Sequence, residues 1–93
     1  MSKIVVQAVL TAKDGQAVQA ILAEVREETL KEEGCLLYQL HRSLEDDKVF
    51  MLYEVYRDAA ALDLHVASEH YANYRERIAP LLADRQVARY EEI

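Results

Sequence analysis

Residues 49–56 read Val-Phe-Met-Leu-Tyr-Glu-Val-Tyr, and this short run constrains the fold more than any other. Side chains alternate between the two faces of a strand. Val49, Met51, Tyr53 and Val55 therefore point one way, and Phe50, Leu52, Glu54 and Tyr56 the other. Both sets are largely apolar, so both faces of the sheet need cover. The first strand-like run repeats the pattern, with Val5 and Val9 on one side and Ile4, Val6, Ala8 and Leu10 on the other. A 93-residue chain buries only about 60–65% of the surface its unfolded form exposes. Here 52% of the residues are hydrophobic, with two Gly and one Pro. That is more apolar material than one small core hides, which predicts a homodimer with sheet facing sheet. Which face of the third strand meets the partner is open at this stage.

The elements on either side follow from local signals. Ile4–Thr11 is rich in branched residues and predicts a strand. Lys13-Asp14-Gly15 is a turn with Asp14 as a helix cap. From Gln16 to Glu33, Val18, Ile21, Leu22, Val25 and Leu30 recur at three- and four-residue steps, predicting an amphipathic helix stopped by Gly34. Cys35–Arg42 and Lys48–Tyr56 predict a β-hairpin across a polar connection. Asp58 caps a second helix through Ala67. Ser68 caps a continuation with Tyr71, Tyr74 and Ile78 on one face, which Pro80 ends. Gln86–Ile93 predicts a fourth strand. The order is βαββαβ, a ferredoxin-like α+β unit, and residues 1–93 are expected to form one domain. Both helices of such a unit cover the same face of its sheet, which leaves the other face to a partner.

Several function classes are disfavoured. A net charge of −6 offers no basic stripe for nucleic acid. The apolar run at Ile4–Leu10 is too short to cross a membrane and lacks a cleavage site after it, so the expected location is cytoplasmic. Cys35 is the only cysteine, which rules out an intramolecular disulfide and a cysteine-based zinc site. A thiol at the start of a strand is expected to be inert packing. No phosphate-binding glycine loop, dinucleotide fingerprint or nucleophile elbow is present, so no cofactor is expected. His65 and His70 stand five apart, not the four of a helical metal-binding pair, and no metal is expected.

The residues able to carry chemistry cluster between Glu54 and Tyr74. Ala61, Leu62 and His65 share a helix face that looks inward, which makes His65 the candidate proton acceptor; an imidazole bonded to a backbone carbonyl fits the same spacing. His70 sits at a helix start, where capping or a rim position is expected, and His41 is a rim or exposed residue. Six tyrosines accompany a single Phe and no Trp. Tyr53, Tyr71 and Tyr74 are the candidates to frame an aromatic substrate, each offering an apolar ring with a polar end. Tyr38, Tyr56 and Tyr90 suit structural packing as well. Glu54 lies within an apolar strand and is either a site acid or base, or a hydrogen-bonded structural carboxylate.

Glu33-Gly34-Cys35-Leu36-x-Tyr38, Phe50-x-x-Tyr53-Glu54-x-Tyr56 and Asp58-x-x-Ala61-Leu62-x-x-His65-x-x-Ser68-x-His70-Tyr71 together resemble the antibiotic biosynthesis monooxygenase domain family. The resemblance spans nearly the whole chain. It implies a dimeric α+β barrel with a pocket between sheet and helices in each subunit. It also implies oxygenation without metal or flavin, in which a deprotonated phenol or quinol gives an electron to O2. Under it, His65 and Tyr71 line the pocket, Gln7 on the first strand points into it, and Arg85 reaches it. Tyr56 stands where many relatives have Trp. Haem-degrading relatives need Asn, Trp and His where this chain has Gln7, His65 and Arg75, which speaks against haem. The Phe50–Tyr56 and His65–Tyr71 segments also resemble the isomerase acting on the phosphorylated autoinducer-2 signal.

The leading expectation is a cofactor-independent monooxygenase for a quinol or related small phenolic or polyketide-like substrate. His65 would be catalytic, with Gln7, Tyr53, Glu54, Tyr71, Tyr74 and Arg85 binding substrate. An isomerase of a small carbonyl compound using His65 and Glu54 is the alternative, and a non-catalytic dimeric binding module is the third.

Overall fold

The computed structural model describes residues 2–93. Strand β1 (Ile4–Ala12) leads into helix α1 (Gly15–Thr29), and β2 (Cys35–Arg42) pairs with β3 (Val49–Tyr56). Helices α2 (Ala59–Val66) and α3 (Glu69–Ile78), a single 3-10 turn (Ala79–Leu81) and β4 (Leu82–Glu91) complete the chain. The four strands form one antiparallel sheet in the order β2-β3-β1-β4. This is the expected ferredoxin-like βαββαβ architecture.

Each helix start has a side-chain cap. Asp14 Oδ1 accepts from the backbone N–H of Gln16 and Ala17 at 3.1 and 3.3 Å. Asp58 Oδ1 accepts from Ala61 N–H at 2.8 Å. Ser68 separates α2 from α3: its hydroxyl donates to the His65 carbonyl at 2.6 Å and accepts from Tyr71 N–H at 3.2 Å. A side chain that satisfies the end of one helix and the start of the next fixes the bend between them.

The helices cover the sheet face that carries Val6, Ala8, Leu10, Phe50, Leu52, Glu54 and Tyr56, all of them buried. Val18, Ile21, Leu22 and Val25 from α1, and Ala61, Leu62, Tyr74 and Ile78 from α2 and α3, close the core. Val5, Gln7, Val9, Val49, Met51, Tyr53 and Val55 form the other face, only half-buried. The structure thus settles which strand-three set turns inward.

Three boundaries differ from expectation by more than one residue. Helix α1 ends at Thr29 rather than Glu33, and residues 30–34 form turns. Gly34 has no positive φ, so it is not a left-handed helix stop. Its role is close approach: a Cβ there would overlap the Cβ of Ala61, and its carbonyl accepts from Arg57 N–H at 2.8 Å. Strand β4 begins at Leu82 rather than Gln86 and ends at Glu91 rather than Ile93. Its length is set by pairing with β1 from Ala12↔Leu82 to Ile4↔Glu91, a non-local cause that the polar Ala83-Asp84-Arg85 sequence does not advertise.

Candidate active site

Three segments converge beside the buried end of α2. His65, in the last turn of α2, is 3% exposed. Its Nδ1 lies 2.8 Å from Glu32 Oε2 in the α1–β2 turn. The same oxygen lies 2.5 Å from His70 Nε2 at the start of α3. A carboxylate only accepts, so the Nδ1–H tautomer of His65 satisfies this contact and leaves Nε2 as the lone-pair nitrogen. Nε2 points toward Glu54 Oε1 at 4.0 Å. Gly34 makes the convergence possible, because its missing side chain lets the turn that carries Glu32 pack against α2.

Glu54, in the middle of β3, is 6% exposed. Its Oε1 accepts from the hydroxyl of fully buried Tyr56 at 2.6 Å. Burial pushes the Glu54 carboxyl up to about 7, against the opposing pull of the Tyr56 hydrogen bond and of Arg85. Burial lowers the affinity of His65 for its proton, partly countered by Glu32. Burial thus acts on two neighbouring groups in complementary ways, making Glu54 a weaker acid and disfavouring the charged form of His65.

These groups face a small, partly open space of about 40 Å³ between the sheet and α2–α3. Tyr71 stacks edge-on to His65 at a centroid distance of 4.9 Å, and Tyr74 follows at 5.9 Å from Tyr71. Tyr38 and Leu52 complete the floor. The mouth lies over β4, where Arg85, Val87 and Arg89 share one face. Arg85 Nη2 donates to the Tyr71 hydroxyl at 3.4 Å. That volume is large enough for one oxygen or water molecule; an aromatic ring would have to rest at the mouth and displace side chains there.

Of the residues proposed from sequence, His65, Glu54, Tyr71, Tyr74 and Arg85 are brought together. Gln7 and Tyr53 are not. They pair across β1 and β3 on the half-buried face opposite the helices. The reason is strand parity: Gln7 has the same alternation as Val5 and Val9, and Tyr53 that of Val55. Glu32 was missed, because it lies in a turn expected to be helix and reaches His65 across 33 positions of sequence. Tyr56, whose sequence context suits packing as well as a polar role, is the hydrogen-bond donor to Glu54. The spacing of His65 and His70 excluded a helical pair but took no account of a third residue from another element. His41 is exposed, with its ring against the Met51 carbonyl. Cys35 is buried, and burial raises its thiol to about 11, so it stays protonated. Among the described residues, no helix is long and apolar enough to cross a membrane.

Fold and site together define a small α+β domain with a buried acid–base pair under its second helix. Residues 3–77 match the family described as antibiotic biosynthesis monooxygenase, and the chain belongs to that family. It is similar to Rv0793 of Mycobacterium tuberculosis, a protein provisionally named a monooxygenase, with 39% identity over 66 residues. That match covers 71% of this chain and 64% of the relative. A match to sll1783 of Synechocystis, 33% identical over 57 residues, covers 61% of this chain and 39% of the relative. By sequence the chain thus spans less than two thirds of the length of these curated relatives. Similarity in structure runs further: the solved Rv0793 structure superposes with a TM-score of 0.92 at 33% identity, covering 99% of this chain and 96% of that one. SO0527 of Shewanella oneidensis superposes with a TM-score of 0.93 at 29% identity, covering 98% and 91%.

Proposed function

We infer that this protein is a cofactor-independent monooxygenase acting on a quinol or related electron-rich phenol. The observation that carries this reading is the orientation of His65: Glu32 occupies Nδ1, and the lone pair on Nε2 is directed into the space beside Glu54. A quinol hydroxyl at the mouth would give its proton to Nε2. The resulting ring anion transfers one electron to O2, and the radical pair joins to form a carbon–oxygen bond. The peroxide anion takes the proton back from His65 Nε2, and the resulting hydroperoxide loses water. For a hydroquinone bearing a ring hydrogen, quinol plus O2 gives the hydroxylated quinone plus H2O, a four-electron oxidation in which O2 accepts all four electrons. Tyr71 and Tyr74 would frame the ring, and Arg85 and Arg89 would stabilise its developing negative charge.

The same reading includes a homodimer. Val5, Val9, Val49, Met51, Tyr53 and Val55 present a half-buried apolar sheet face, suited to packing against a second copy. Gln7 and Tyr53 then belong to this interface rather than to the substrate site.

The test is oxygen uptake with a panel of benzo- and naphthohydroquinones, with 18O2 supplied and the product analysed by mass spectrometry. One labelled oxygen in the organic product is expected. A second reading has its own support, because two acid–base groups 4.0 Å apart, one near pH 7, suit proton movement between adjacent carbons of a small carbonyl compound. No oxygen uptake, together with deuterium incorporation next to a substrate carbonyl in heavy water, would favour that isomerase.

A further inference from the structure

We propose that Glu32, His65 and His70 bind a divalent transition-metal ion of the Zn2+ class, on the side of His65 turned away from the substrate space. Each residue offers one ligand atom, and the three atoms lie within 4.8 Å of one another. They come from three separate segments: the α1–β2 turn, the last turn of α2 and the first turn of α3. Glu32 Oε2 is 2.8 Å from His65 Nδ1 and 2.5 Å from His70 Nε2. Zinc bonds of about 2.0–2.1 Å in a tetrahedron place ligand atoms roughly 3.3 Å apart, so Glu32 must draw back from each imidazole by less than about 1 Å while the two imidazole nitrogens, within 4.8 Å of each other, close by up to about 1.5 Å. Glu32 and His70 are partly exposed, at 18% and 25% for their side chains, and are free to make that shift.

Two further features fit an ion. Metal-bound imidazoles characteristically direct the other ring nitrogen at a carboxylate. His65 Nε2 faces Glu54, which is itself anchored by Tyr56. There is also an approach route: a groove of about 690 Å³ between α1 and α3 has Glu24, Glu27, Glu28 and Glu69 along its walls and His70 at its edge. Arg77 pairs with Glu24 and Lys31 with Glu28, yet the groove keeps a negative excess that concentrates cations. Two imidazoles and one carboxylate favour Zn2+, Co2+ or Ni2+ over Mg2+ or Ca2+. A fourth position would be open to water.

The site bears on the proposed oxygenation, and this consequence rests on that reading. An ion on Nδ1 leaves the ring proton on Nε2, so His65 can no longer accept one. Loading would silence oxygen uptake rather than support it.

Chelator-treated protein titrated with ZnCl2 in a calorimeter should take up one ion per chain, and Co2+ should give the visible absorption of a tetrahedral site. His70→Ala and Glu32→Gln, shown folded by circular dichroism, should each weaken binding at least ~10-fold. Wild-type binding no tighter than that of His70→Ala would overturn the site, even if quinol-dependent oxygen uptake is found. One-to-one binding lost in both variants upholds it. If that binding leaves oxygen uptake unchanged, the site stands and His65 is removed as the base.

Discussion

Replacing Glu54 by Gln should make the protein more stable above pH 7 and leave it nearly unchanged near pH 4.5. Glu54 is buried among apolar neighbours, with the Tyr56 hydroxyl as its hydrogen-bond donor. Its carboxyl is raised from the ordinary 4.5 to about 7. Below pH 4.5 the group is protonated in both folded and unfolded chains and contributes no pH dependence. Between 4.5 and 7 the folded protein binds more protons than the unfolded chain, so stability falls as pH rises. Above 7 the loss is complete, and the rise from 4.5 to about 7 corresponds to about 3 kcal/mol. Gln keeps the shape and still accepts from Tyr56, but never ionises. Urea unfolding at 25 °C, run on both proteins from pH 4.5 to 8.5 with chelator present, isolates the effect as a difference curve. The expected curve starts near zero and rises by about 3 kcal/mol in favour of the variant, with most of the change complete by pH 7.5. A flat difference curve would show that Glu54 titrates in the ordinary carboxylate range and would remove it as a near-neutral acid.

Tyr56→Phe removes the hydroxyl that stabilises ionised Glu54, so it should cost about 1.5–3 kcal/mol at pH 8 and distinctly less at pH 5, measured by the same unfolding. Val55→Asp places a charge on the half-buried sheet face; light scattering should report a dimer for wild type and a monomer or unfolded chain for the variant. Gly34→Ala drives a Cβ into Ala61 and should cost about 1–3 kcal/mol, with the Glu32–His65 contact loosened; a His65 side-chain NMR signal unchanged from wild type would contradict this.

Periodicity carries far in this chain because its elements obey local rules. Asp14, Asp58 and Ser68 all cap the helices they announce, and Phe50, Leu52, Glu54 and Tyr56 turn inward as one alternating set. His65 was legible as inward-facing because Ala61 and Leu62 share its helix face. Gln7 and Tyr53 were misplaced by setting aside the very alternation that placed their neighbours. Glu32 was illegible for a different reason. Its position depends on where α1 ends and on how closely Gly34 lets a turn approach α2, and both are settled by packing between distant segments. Strand β4 is an edge strand with an exposed polar surface, so its start is fixed by its partner β1 and not by its own pattern.

The central claim is that Glu32 holds His65 so that Nε2 takes a proton from the substrate. Its most direct test is steady-state oxygen uptake with one quinol, in the presence of chelator, by wild type, His65→Ala and the exposed-site control His41→Ala. Loss of a general base typically costs about 10²-fold or more, so His65→Ala should fall to about one hundredth of the wild-type rate or below while His41→Ala keeps it. Equal rates for His65→Ala and wild type would contradict the claim.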